Sequence, residues 1–174
     1  DMWKLDEIRQ RTAYAEQKQT EKDALRRFLL SKQADFSYAV TLTFKPYVKV
    51  ENERGVHCRG LRIDDVKQTA KHFKNRLNRL TLGSAAKRHG KSLNYCFVIE
   101  GERSNKHLHL HLAVGGEFQK IAHKEVVSTV TSAAADCELL GEQLDVQVMD
   151  SGWLEYITKE VGKHDTDNVL WELA

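Results

Sequence analysis

The most regular pattern of hydrophobic and polar positions is the alternation of histidine with leucine over residues 107–112. In an extended strand, successive side chains point to opposite faces, so the two residue types separate. The pattern therefore predicts a strand with an apolar face and a face of imidazoles. The apolar face carries Leu108, Leu110, Leu112 and Val114, and the other carries His107, His109 and His111.

Periodic patterns elsewhere in the first half of the chain predict further elements. Residues 3–33 contain no glycine or proline and predict one long or broken helix. Residues 37–44 alternate and are rich in β-branched and aromatic side chains, which predicts a strand, and a loop is expected over residues 45–60. Apolar residues at spacings of three and four then predict an amphipathic helix over residues 63–82.

The second half of the chain continues this order. Residues 95–99 are apolar on both faces, as expected of a strand in the middle of a covered sheet, and they would pair antiparallel with the histidine strand. Residues 118–140 predict a helix, residues 144–149 a short strand, and residues 152–161 a last helix that Asp150 or Ser151 would cap.

The resulting order β-α-β-β-α-β-α predicts an α+β fold, a ferredoxin-like split βαβ antiparallel sheet with helices packed on it. Residues 1–34 form an N-terminal helical arm in this interpretation, and residues 35–174 form the domain. A chain of 174 residues can bury a proper core in one such domain.

Composition favours a globular protein that does not enter a membrane. Hydrophobic residues make up 41% and charged residues 30%, and no stretch approaches the length of an apolar membrane span. There is no apolar segment of a signal peptide near the N-terminus, and the cysteines Cys58, Cys96 and Cys137 lack metal or disulfide spacing. A reducing, cytoplasmic setting is expected.

Charge is distributed unevenly although the net charge is only +2. Two predicted loops, residues 45–60 and 87–91, concentrate basic side chains that could contact a phosphate backbone. The candidate DNA contacts are Lys45, Arg54, Arg59, Lys87, Arg88 and Lys91.

Imidazoles on one strand face are typical ligands of a transition metal. Glu100 ends the strand that would pair with the histidine strand and would supply a carboxylate, with Glu102 as the alternative. Three protein ligands leave coordination positions open, which indicates a catalytic metal site rather than a structural one.

The last predicted helix carries a tyrosine away from its apolar stripe. Tyr156 points nearly opposite the stripe, with Lys159 and Glu160 one turn away on either side. A phenol of ordinary pKa about 10 needs a cation or a base to become a nucleophile, and the Lys159 ammonium favours phenolate. The combination suits attack by tyrosine on a phosphodiester that a metal polarises. The apolar stripe consists of Leu154, Ile157 and Val161.

Residues 36–163 resemble the HUH endonuclease superfamily, in particular the nuclease domain of single-tyrosine rolling-circle replication initiators, the Rep proteins. The matching motifs follow the order that Rep proteins use. They are the apolar, threonine-rich strand of residues 40–44, the pair His109 and His111 preceded by Glu100, and the tyrosine helix with Tyr156 and Lys159.

The resemblance implies a metal-dependent enzyme that nicks and joins single-stranded DNA. Tyr156 would become linked to the 5′ end through a phosphotyrosine and release a 3′ hydroxyl that primes rolling-circle replication of a plasmid or phage. His109, His111 and Glu100 would hold Mg or Mn. The implied partners are single-stranded or hairpin origin DNA and a host helicase.

Several alternatives stay open at this point. His107 with His109 is the other ligand pair that the run allows. A single tyrosine would require a second subunit, or a water activated by Glu160, for a second cleavage. A single-tyrosine transposase fits the motif order, a relaxase would use Tyr14, and a non-catalytic ferredoxin-like nucleic-acid-binding module would use none of this chemistry. The chain is not expected to carry the helicase domain of many initiators, either by nature or because it is trimmed, as the opening Asp1 suggests.

Overall fold

A four-stranded antiparallel sheet forms the centre of the molecule, and its strands lie in the spatial order β4 (Asn94–Glu100), β5 (His109–Gly115), β1 (Phe36–Phe44), β6 (Leu140–Val148). The computed structural model describes residues 2–101, 107–150, 152–153, 156 and 168–174. The strands are β1 (Phe36–Phe44), β2 (Tyr47–Asn52), β3 (Gly55–Gly60), β4 (Asn94–Glu100), β5 (His109–Gly115) and β6 (Leu140–Val148).

The helices lie in the chain order that the sequence predicts. A split βαβ arrangement follows, because β1 and β4 are connected through helices with β5 between them in the sheet, and β5 and β6 are connected through a helix with β1 between them. The predicted α+β, ferredoxin-like fold is confirmed. The helices are α1 (Met2–Ser31), α2 (Ile63–Leu82), α3 (Ser84–His89) and α4 (His123–Ala135), with short 3-10 turns at Gln33–Asp35, Gly116–Lys120 and Trp171–Leu173.

One face of the sheet carries the main hydrophobic core. Apolar residues at every second position of the strands meet the buried faces of α2 and α4. The stripe of α2 is buried at the predicted spacing, with Phe73 and Leu77 fully inaccessible to solvent. Full burial of one such side chain contributes about 1.5–3 kcal/mol. This face therefore fixes the sheet and leaves the opposite face for other contacts.

The opposite face is apolar at one end and polar at the other. At its apolar end, a second cluster consists of Leu29, Cys96, Val98, Ala113 and Val169, with Phe36, Met149 and Trp153 packed against it. We call this set the arm cluster, because Leu29 belongs to the last turns of α1 and is fully buried. The polar end of the face is the candidate site.

Several predicted element boundaries are wrong. Residues 45–60 are not a loop, because β2 and β3 pair in register as a two-stranded hairpin whose side chains are mostly exposed. The predicted basic loop begins inside α3. The predicted helix 118–140 begins only at residue 123, because a 3-10 turn precedes it, and β6 begins at residue 140 rather than 144.

The strand β4 is buried on both faces, as predicted, but it lies at the edge of the sheet instead of its middle. Its outer edge is covered by the C-terminal residues, since Val169 forms a bridge with Val98 and the Leu170 N–H donates to the Phe97 carbonyl. Covering an edge in this way satisfies backbone groups that would otherwise face solvent. Among the described helices, none combines the length and apolar character that crossing a membrane requires.

Candidate functional site

Strand register brings three predicted site residues together on the polar end of the sheet. Glu100 on β4 pairs directly with His109 on β5, and His111 pairs with Thr41 on β1. Directly paired residues project from the same face, so these side chains share one face. The alternation of β5 therefore places its leucines in the main core and its histidines here, as predicted.

A chain of hydrogen bonds holds the His111 ring between two strands. Its Nε2 lies 2.6 Å from Glu100 Oε2, and its Nδ1 lies 3.0 Å from Thr41 Oγ1. Because an ionised carboxylate only accepts, Nε2–H donates to Glu100. With the proton of the neutral ring on Nε2, Nδ1 is an acceptor and the Thr41 hydroxyl donates to it.

His109 is half-buried beside His111, with the ring centroids 6.3 Å apart and the planes 23° from parallel. Burial lowers the pKa of His109 below its ordinary value, and the neighbouring His111 lowers it further while Glu100 opposes the shift. The neutral imidazole, which is the form that binds metals, is therefore favoured at His109.

Tyr156 is brought to the histidine face from the last helical segment. Asp150 begins this segment, since its Oδ1 accepts from the Trp153 N–H at 2.9 Å, as the sequence predicts for a cap. The Tyr156 ring meets the His111 ring edge-on, with centroids 5.9 Å apart, and the side chain is 50% exposed. Tyr156 thus lies beside the imidazole and open to solvent.

These groups line one open cleft of about 440 Å³. Three of the lining residues were not singled out from the sequence, namely Asp145 and Gln147 on β6 and Trp153 beside Tyr156. The alternation of β6 could have found two of them, because Leu144 and Val146 pack on the core and leave Asp145 and Gln147 on the histidine face. The full lining is Thr41, Glu100, His109, His111, Asp145, Gln147, Trp153 and Tyr156.

The donor set of Glu100, His109 and His111 fits a divalent metal in kind, since two imidazoles and a carboxylate lie on one face. Within the described residues, however, no group of three histidine, cysteine, aspartate or glutamate side chains is arranged to hold an ion. The Glu100 carboxylate bonds directly to His111 Nε2, so it would have to turn from that nitrogen for both to face a metal.

The other predicted site residues separate into two groups. His107 precedes β5, is exposed and does not line the cleft. Tyr14 lies exposed on the arm helix α1. Glu102, Lys159 and Glu160, together with the predicted apolar stripe of the last helix, lie outside the described residues.

The basic candidates are distributed over three places. Lys45 donates to the Glu138 carbonyl at 2.6 Å, and Arg59 donates to both carboxylate oxygens of Asp65 at 2.6 and 2.7 Å. Both cations are therefore engaged within the protein. Arg54 is exposed at the turn of the β2–β3 hairpin.

The remaining basic candidates, Lys87, Arg88 and Lys91, are exposed on or just after α3. Lys87 and Lys91 line a second cleft of about 470 Å³ together with Lys74 and Arg79 from α2. No carboxylate side chain is among the residues that line this cleft. It lies at the opposite end of β4 from Glu100, since Ser92 borders it.

Comparison of the chain with protein-family models, with curated proteins and with solved structures finds no match.

Proposed function

We propose that this protein is a single-stranded DNA nicking and joining enzyme in which Tyr156 is the nucleophile and Glu100, His109 and His111 bind a divalent metal, Mg or Mn. The observation that carries the proposal is the contact of Tyr156 with His111, whose Nε2 is bonded to Glu100, in one open cleft. A phenol, two imidazoles and a carboxylate meet there from three separate elements. Structural packing alone does not require this combination at a solvent-open surface.

The reaction forms a bond between the Tyr156 Oη and a phosphorus atom of the DNA, and it breaks the bond between that phosphorus atom and the 3′ oxygen. The phenol loses its proton, the departing 3′ oxygen gains one, and the downstream strand stays attached through a 5′ phosphotyrosine. Attack by a 3′ hydroxyl reverses the step and rejoins the strand without ATP. When bound, the metal supplies charge neutralisation and polarisation of the phosphate oxygens.

Residues of this chain position the reactants. The Thr41 hydroxyl holds the His111 ring through Nδ1, and that ring contacts Tyr156, so that the proposed nucleophile stays beside a proposed metal ligand. Lys159 remains the cation that the sequence predicts for the same helix as the tyrosine.

The thiols of Cys58, Cys96 and Cys137 are free, which supports a reducing, cytoplasmic setting. Initiation of plasmid or phage rolling-circle replication, with a host helicase, is the biological role we propose.

The test is formation of a covalent adduct on a pool of single-stranded and hairpin oligonucleotides in the presence of Mn. A 3′ label should remain on the protein, whereas a 5′ label should leave with the released fragment. We expect Tyr156→Phe to form no adduct. The unaltered protein should form none in EDTA and should form it again when Mn is added back. His109→Ala and His111→Ala should lose it, and His107→Ala should lose much less.

The matched control is Tyr14→Phe, which removes the same hydroxyl from the arm. An adduct that persists in Tyr156→Phe and disappears in Tyr14→Phe would indicate a relaxase-type nucleophile and overturn our assignment. Absence of any adduct from the unaltered protein on every substrate would contradict the enzymatic function itself.

A further inference from the structure

The wall of the cleft opposite Glu100 is built by β6 and the start of the last helical segment. Thr41 pairs with His111 on one side and with Asp145 on the other, so the Asp145 carboxylate stands two strands away from the histidines on the same face. Gln147 Nε2 donates to Asp145 Oδ2 at 2.7 Å. This hydrogen bond pairs the amide with the carboxylate at the surface, and the proposed chemistry at Tyr156 uses neither of them.

Charge decides which part of a DNA strand this wall can face. The exposed Asp145 carboxylate repels phosphates. Its hydrogen-bond partner, the Gln147 side chain, is a neutral amide and does not cancel this negative charge. On the other wall, the Glu100 carboxylate already accepts a hydrogen bond from His111. A strand that places its phosphate at Tyr156 and the histidines therefore directs an adjoining base toward Asp145 and Gln147.

Trp153 provides an apolar surface at the same place. One part of its side chain packs against the arm cluster, and the remainder lines the cleft, three residues before Tyr156. Its backbone is fixed by the hydrogen bond to Asp150. A rigid aromatic ring at the edge of a single-strand groove is the usual platform on which a base stacks.

We propose that Trp153, Asp145 and Gln147 form a nucleobase subsite that stacks one unpaired base beside the scissile phosphate and selects a base with an exocyclic amine. This inference rests on the proposed function, because it takes single-stranded DNA as the ligand of the cleft.

The selectivity follows from the hydrogen-bonding groups. An ionised carboxylate has only acceptors, and cytosine presents an N4 amine where thymine presents the O4 carbonyl. Thymine at this position would set its oxygen against the Asp145 carboxylate. The Gln147 amide, held by Asp145, keeps a carbonyl oxygen and a second N–H for the rest of the base edge.

The experiment measures binding without cleavage, in EDTA and in a Tyr156→Phe background. Replacing Trp3 and Trp171 by phenylalanine leaves Trp153 as the only tryptophan. Oligo(dC) and oligo(dT) of equal length are titrated above neutral pH, with Trp153 fluorescence and the anisotropy of a labelled oligonucleotide both recorded. We expect quenching of Trp153 by both, and about tenfold tighter binding of oligo(dC).

Two variants separate base reading from general charge effects. Asp145→Asn should bring the oligo(dC) to oligo(dT) affinity ratio close to one while Trp153 quenching persists. Glu142→Gln, which removes the same charge from an exposed position of the same strand, should keep the ratio. Trp153→Ala should weaken both oligonucleotides, and its circular dichroism and unfolding midpoint show whether the fold is retained.

Equal affinity for the two oligonucleotides, an unchanged ratio in Asp145→Asn, or binding without any change in Trp153 fluorescence would each overturn the subsite. If the preference and quenching are present but no covalent adduct forms with Mn, the subsite stands and the proposed function fails. If an adduct forms with Mn but there is neither a preference for oligo(dC) nor quenching of Trp153, the proposed function stands and the subsite fails.

Discussion

Thr41 is the residue on which the geometry of the histidine pair depends most directly. Its hydroxyl bonds to His111 Nδ1, while the other ring nitrogen faces Glu100. When an imidazole binds a metal through Nε2, its Nδ1–H needs an acceptor, and partners of this kind orient the ring and adjust ligand basicity. The Thr41 hydroxyl can pair with Nδ1 both before and after a metal binds Nε2, because a hydroxyl can donate to a bare nitrogen or accept from an N–H.

We therefore expect Thr41→Val to weaken Mn binding by about 10- to 100-fold, since valine keeps the shape of the side chain and removes the hydrogen bond. Calorimetric titration with Mn measures this effect independently of any activity. Thr43→Val is the control on the same strand and face, because the Thr43 hydroxyl donates to the Gln143 carbonyl instead of an imidazole. Equal Mn affinity in the two variants would contradict the role of Thr41.

At the scale of elements, the sequence predicts the strands and helices that build the core, together with the arm helix α1, and misses the exposed β2–β3 hairpin. The stripe of α2 and the alternation of β5 have strong periods because burial imposes them. The β2–β3 hairpin buries little, so its short alternation around Val48 and Val50 has no comparable signal. Its existence depends on pairing between the two strands, which a pattern within one strand does not encode.

The site shows the same division. The proposed ligands and nucleophile are predictable because histidine alternates with leucine along β5, Glu100 ends the strand that pairs with it, and Tyr156 lies off the predicted apolar stripe of its helix. Asp145 joins the cleft only through the register that pairs β6 with β1, and that register is set by packing across the sheet. Trp153 faces the cleft because the arm cluster supports one side of it, and this is a contact between distant parts of the chain.

The Asp65 carboxylate links the β2–β3 hairpin to the start of α2 by hydrogen bonds. Asp65 accepts from the Arg59 guanidinium and also from the Arg62 N–H at 2.8 Å, where it caps the helix. The hydrogen bond from Arg59 is the main cause that lowers the pKa of Asp65 below its ordinary value of 3.8, against an opposing effect of burial.

A carboxyl whose pKa is lower in the folded state stabilises the fold above its unfolded pKa and loses this contribution as the pH falls through the folded pKa. We expect the free energy of unfolding of the unaltered protein to exceed that of Asp65→Asn near neutral pH, and the difference to shrink below about pH 4. Urea unfolding at a series of pH values measures it. Asp64→Asn, an exposed carboxylate in the same helical turn, is the control; a gap that does not change with pH would contradict this account.

At the scale of the whole molecule, the sheet separates the main hydrophobic core from the candidate site, one on each face. The α2 and α4 face holds the main core, whereas the other face holds the cleft at one end and the arm cluster at the other. Substitutions in the first set should act on folding, and those in the cleft on binding. The arm cluster is the exception, because Leu29 and Trp153 both pack in it.

Leu29→Ala should therefore change two measurements together. Loss of this buried side chain costs about 2–5 kcal/mol of unfolding free energy by the usual range for such truncations. It should also alter the fluorescence of Trp153 in the protein that has no other tryptophan. The control is Leu30→Ala, since Leu30 is the exposed neighbour on the same helix. A destabilised Leu29→Ala protein with unchanged Trp153 emission would contradict the link between them.

The arm helix that ends at this cluster has a mechanical consequence. Thirty residues of helix extend about 45 Å, and the buried Leu29 lies near the end that meets the sheet. A rod held near one end acts as a lever, so a small force on its far end becomes a large torque where it is held. That pivot is the patch against which Trp153 rests, three residues from Tyr156. Any molecule that binds the far end of the arm would thus transmit force to the segment that carries Tyr156.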